Sequence, residues 1–185
     1  MRHFSTRKLT TLALLATLSL AVYAIESALP PLVPIPGVKL GLANIITLVS
    51  LIRFSTQDAL YVLLVRILLS ALLFGQAVSL LYSLAGGFLC LVGMTLVHML
   101  LQGHFPPLIS IFGALCHNVG QLMIALLLTG TPGVLSYLPF LLLSGIVTGL
   151  FTGFCAGFML RYLKPLKAAS PLIPEEDDGN SGQSR

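Results

Sequence analysis

Residues 77–101 read AVSLLYSLAGGFLCLVGMTLVHMLL, with no Asp, Glu, Lys or Arg among them. Wound as an α-helix at about 1.5 Å per residue, this stretch exceeds the ~30 Å hydrocarbon layer of a bilayer. It therefore reads as a transmembrane helix, and the rest of the chain agrees. Of 185 residues 56% are hydrophobic and 9% charged, with a mean hydropathy of +0.98. A soluble domain of this size could not hide so much apolar surface. Working outward, the same criterion marks six segments: Leu9–Leu29, Val38–Ile52, Ala59–Phe74, Ala77–Leu101, Leu108–Thr129 and Leu135–Leu163. The expected fold is an all-α integral membrane protein, a compact bundle of about six transmembrane helices spanning residues 1–167.

The breaks between segments have chemical causes. Pro30, Pro31, Pro34 and Pro36 make a stiff connector, because each ring fixes φ and removes a backbone donor. Arg53 and Asp58 mark the turn after the second segment, and residues 102–107 and 130–133 form two further breaks. From Ala168 to Arg185 the chain offers Glu175, Glu176, Asp177 and Asp178 among Gly, Ser and Pro, with little to bury. This reads as a disordered acidic cytoplasmic tail.

Basic residues set the expected orientation. Arg2, Arg7 and Lys8 precede the first segment, Arg53 follows the second, and Arg161, Lys164 and Lys167 close the sixth. With six crossings all fall on one side, which the positive-inside rule makes cytoplasmic, together with both termini. The formal net charge of +4 thus speaks for topology in a multi-pass protein of the cell membrane and not for a nucleic-acid partner. A competing reading of the start is a cleaved signal peptide, with Val22, Tyr23 and Ala24 near the cut, which would leave five helices. Cys90, Cys116 and Cys155 have no CxxC spacing, so they indicate neither a metal site nor a disulfide framework.

Polar groups inside membrane spans carry the functional information, because a central charge costs about 2.5–3.5 kcal/mol on insertion scales. His117, Asn118 and Gln121 share one face of the fifth segment. They are either a ligand-binding triad or an interhelical hydrogen-bond cluster. Ser79, Tyr82, Ser83, Gly86, Gly87 and Cys90 form a stripe on the fourth, where small residues permit close approach. Arg66 stands deep in the third segment, directed at an anion or paired with Glu26 of the first. Lys39 and Asn44 at the start of the second fall at a similar depth to Glu26, although Lys39 could also be an interfacial lysine. Lys39 and Arg66 against Glu26 leave one net positive charge, which suits a small anionic or zwitterionic ligand.

Gly145, Gly149, Gly153 and Gly157 recur every fourth position on the sixth segment, a ridge for close helix contact with an internal or external partner. Ala13 with Thr17 is a weaker version on the first. The sequence has no GxxxxGK[ST], HExxH, GxSxG or DDxxD motif, so hydrolysis of ATP or prenyl transfer by this chain alone is not expected, nor is a cofactor or metal.

The strings PGVKLGLAN at 36–44, LFG at 73–75, SLAGG at 83–87, HNVGQ at 117–121 and LSG at 143–145, with Arg66 between the first two, resemble the Gx transporter family over residues 9–163. Its members are also catalogued as heptaprenyl diphosphate synthase component I, and the family is similar to the S components of energy-coupling-factor transporters. The resemblance implies a six-helix substrate-binding protein energised by a separate coupling subunit with ATPases. In S components an Ala-x-x-x-Ala pattern on the first helix meets the coupling subunit, and Ala13 with Thr17 matches it approximately. The synthase label implies instead a membrane subunit presenting lipid substrate to a soluble prenyltransferase. A third expectation is a ligand-free scaffold whose polar groups satisfy one another.

Overall fold

The computed structural model describes residues 6–28, 39, 41–74, 77–102 and 104–163. The proline connector at 30–36, Lys164, Lys167 and the acidic tail 168–185 lie outside them. Six α-helices follow in order: α1 Thr6–Ala28, α2 Asn44–Arg53, α3 Thr56–Phe74, α4 Ala77–Leu101, α5 Pro106–Thr129 and α6 Leu138–Leu163, the last entered through a 3-10 turn at Pro132–Tyr137. All but α2 are long and apolar enough to cross a bilayer, and no strand occurs among the described residues. Leu68, Leu72, Leu100, Val147 and Phe154 stand on the outside, an apolar exterior that only lipid can solvate.

The second segment departs from expectation. It reads as a helix from Val38, yet the helix starts only at Asn44 and runs ten residues. Its cause is local: Gly41 takes φ +81, a left-handed conformation open to glycine, and the chain re-enters helical geometry through short Gly41–Asn44 and Leu42–Ile45 backbone bonds of 2.9 and 3.1 Å. What α2 lacks in length it has in burial. It touches each of the other five helices, and Ile46, Thr47, Leu48, Val49, Ser50 and Leu51 are buried.

At the Arg53 end, Lys8 of α1 and Asp58 of α3 form a 2.8 Å ion pair, so α1 and α3 run parallel and the chain crosses between them. Asp58 also accepts from the Ser55 hydroxyl at 2.7 Å, while the Asp58 N–H donates to Ser55 Oγ at 3.2 Å, a reciprocal cap on α3. Met159, near the end of α6, packs on the cluster containing Leu12 of α1, which brings the start of α1 and the end of α6 to the same end of the bundle.

The glycine ridge of α6 faces inward, against α5. A Cβ on Gly149 would lie 2.6 Å from Ile111 Cα, and one on Gly153 would collide with Pro107 Cα. Ser110 and Thr152 hydroxyls bond across the same seam at 2.7 Å. The partner helix is therefore internal. Gly157 departs from the expectation, since its nearest neighbour would be Pro106 Cγ at 4.0 Å and the helices have already separated there.

Candidate functional site

Non-helical backbone within a bilayer is tolerated only where protein satisfies its polar groups. Lys39 and residues 41–43 are such backbone, and side chains from α1 and α5 hold it. The Gly41 N–H donates to Glu26 Oε1 at 2.5 Å. Ser19 donates to the Ala43 carbonyl at 3.2 Å. With its amide oriented so that every donor meets an acceptor, Gln121 donates to the Lys39 carbonyl at 3.0 Å and accepts from the Lys39 N–H at 3.2 Å and from His117 Nε2–H at 3.0 Å. His117 Nδ1 is left as an acceptor for Asn44 Nδ2–H at 3.3 Å. The imidazole fits because glycines flank it: a Cβ on Gly86 would lie 2.9 Å from the ring, and one on Gly41 at 3.1 Å.

The Lys39 ammonium turns to α1. It donates to Ser27 Oγ at 2.6 Å and lies 3.7 Å from the centroid of the Tyr23 ring, whose hydroxyl meets Ser79 of α4 at 3.0 Å. Glu26, Lys39, Asn44, His117 and Gln121 thus form one connected network across four elements.

Arg66 stands differently. It is buried to 3% exposure, yet its Nε has no hydrogen-bond partner, and the direct Glu26–Arg66 ion pair suggested by sequence is absent among the described residues. Glu26 and His117, two members of the network, lie within electrostatic range of its charge. Two acceptor-capable atoms on one face of α2, Asn44 Oδ1 and Thr47 Oγ1, are likewise buried without partners. Buried polar groups are rarely left so, and each such atom needs an explanation.

The remaining expected residues have separate surroundings. Tyr82 is buried among Leu122, Ala125 and Leu141, and Ser83 is buried beside it on α4. Asn118 faces α6, donating to the Leu141 carbonyl at 2.5 Å, and its amide fills the space opposite Gly145. Ala13 and Thr17 lie exposed on α1, with the Thr17 hydroxyl bonded to the Ala13 carbonyl at 3.0 Å. Ser19, Tyr23 and Thr47 were not foreseen. The signal was present: Ser19, Tyr23 and Glu26 repeat at i, i+4 and i+7, one polar face on an apolar helix. No cluster of three or more His, Cys, Asp or Glu suited to a metal occurs among the described residues.

A family model described as heptaprenyl diphosphate synthase component I matches residues 15–159, a range that contains the whole network. No curated protein and no solved structure matches the chain.

Proposed function

The chain belongs to the heptaprenyl diphosphate synthase component I family, and from that premise we propose that it is a membrane substrate-binding component for uptake of a small anionic or zwitterionic molecule, energised by separate subunits. One observation carries the reading: a buried arginine whose Nε has no hydrogen-bond partner and which makes no ion pair among the described residues. A buried cation without a directly paired carboxylate is expensive, and proteins retain one where an anion completes it. Asn44 and Thr47 supply unpartnered oxygens that can accept from the same ligand, while Glu26 and Gln121, the latter oriented by His117, fix the backbone at Lys39 and Gly41. Tyr82, Ser83 and Asn118, expected from sequence to line the same site, have separate surroundings on α4 and α5 and are not part of this proposal. In this reading the Arg53 end, with its basic residues and both termini, is cytoplasmic.

The family description favours a second reading, a non-catalytic membrane subunit supporting heptaprenyl diphosphate synthesis. Affinity purification from native membranes, followed by native mass spectrometry, separates the two. The uptake reading expects ATPases with a coupling protein, and a retained small anion or zwitterion that Arg66→Gln loses. A soluble DDxxD prenyltransferase in their place supports the second reading. Recovery of neither partner and no small molecule would remove both.

A further inference from the structure

At the opposite end of the bundle from Glu26 and Lys39, α5 and α6 part company. They touch backbone to backbone at Gly153, and one turn later Gly157 would find only Pro106 Cγ at 4.0 Å. Ile52 and Arg53 at the end of α2, with Gln102 and His104, border the gap. A cleft of about 790 Å³ results, with Arg53, His104, Gly157 and Arg161 in its wall beside Phe154 and Phe158. Its volume falls within the ~300–1,000 Å³ typical of small-molecule sites.

The wall is chemically lopsided. It holds two guanidinium groups and an imidazole but no carboxylate, and among the described residues neither arginine has an acidic partner within 4 Å. Charge bias at this end alone would account for arginines pointing to water or headgroups. It does not account for arginines from two different helices lining one cavity that a glycine keeps open. The apolar side is equally definite, because Phe154 and Phe158 are 62% exposed on the face where the cleft meets lipid.

The geometry points to a second binding site, for an amphiphile with a phosphate or diphosphate headgroup on a hydrocarbon chain. Guanidinium forks match phosphate oxygens two at a time. A phosphate monoester, with three terminal oxygens and close to two charges, suits two forks and an imidazole better than a carboxylate with two oxygens and one charge. The headgroup sits between Arg53 and Arg161, and the chain leaves along Phe154 and Phe158 into the bilayer. Gly157 is the floor that a larger side chain would fill. This site does not depend on the uptake reading, which concerns residues at the other end.

The test uses the full chain in dodecyl maltoside, with native mass spectrometry to count bound probe. Dodecyl phosphate is the probe; inorganic phosphate carries the head without the chain, and dodecyltrimethylammonium the chain without the anion. The expected result is one dodecyl phosphate per chain, retained far better than either control. Arg53→Gln combined with Arg161→Gln should weaken binding at least tenfold. Gly157→Leu should do the same at an unchanged melting temperature, because the added carbons enter open space. Inorganic phosphate held as well as dodecyl phosphate would overturn the amphiphile assignment in favour of a soluble phosphate. Dodecyl phosphate held equally by the parent, the double glutamine variant and Gly157→Leu would overturn the site itself.

Discussion

α2 and α6 lie against each other in the bundle, yet opposite means hold them in place. The longer helix, α6, presents glycines so that its backbone rests on that of α5 near Ile111 and Pro107, and close packing does most of the holding beside the Ser110–Thr152 and Asn118–Leu141 hydrogen bonds. Only ten residues long, α2 depends on the segment before it, whose backbone is tied by Glu26, Ser19 and Gln121. One helix is fixed mainly by the absence of side chains and the other mainly by hydrogen bonds from distant ones. The difference teaches that polar groups in this membrane interior have two jobs, which must be separated before any is assigned to a ligand.

The comparison is broken most severely on the α6 side. Replacing Gly149 or Gly153 with Leu puts four carbons where one Cβ already collides with α5 backbone. Overpacking typically costs about 1–3 kcal/mol, and rigid backbone on the far side puts these variants at or above the upper end. Yield of folded protein in detergent and its melting temperature should both fall. Normal values for both variants would mean that the seam is not close-packed.

On the α2 side, Gln121→Leu leaves the Lys39 N–H and carbonyl bare. Each buried backbone group so exposed costs about 1–3 kcal/mol, so a clear drop in melting temperature is expected. Unlike the glycine variants, this one should loosen Lys39 and residues 41–43 selectively, visible as faster hydrogen exchange there with the α5–α6 seam still protected. Uniform loss of protection throughout the bundle would contradict a local role.

Asn118→Ala sharpens the comparison at its mildest point. The residue neighbours the network in sequence but bonds to Leu141 of α6, next to Gly145. A single interhelical hydrogen bond in a membrane averages about 0.6 kcal/mol, so the melting temperature should shift slightly and the exchange of Lys39 and residues 41–43 not at all. A loss as large as that of Gln121→Leu would place Asn118 in the network after all.

Much of this architecture was legible in the chain. Helix count, breaks and the stripe from Ser79 to Cys90 follow from composition and spacing, since bilayer thickness and helical pitch leave few alternatives. The register of α2 was not legible, because an apolar run looks the same whether helical or bent. Only Gly41 beside a buried Glu26 hinted at the bend, and that contact joins residues fifteen apart across a loop. For the same reason the sequence could gather Glu26, Lys39, His117 and Gln121 without showing that they clamp backbone. Nor could it show that Arg66, so near Glu26 in depth, would make no ion pair with it and keep its Nε without a hydrogen bond.

The central claim is that the network holds the fold while Arg66 is kept for a ligand, and the melting temperature of Arg66→Gln in ligand-free detergent tests it most directly. A buried charge with no directly paired carboxylate destabilises, and a neutral side chain of similar shape removes that penalty. The account predicts a melting temperature equal to or above that of the parent protein. A fall of several degrees, comparable with that of Gln121→Leu, would show that Arg66 is one more strut of the bundle and contradict the account.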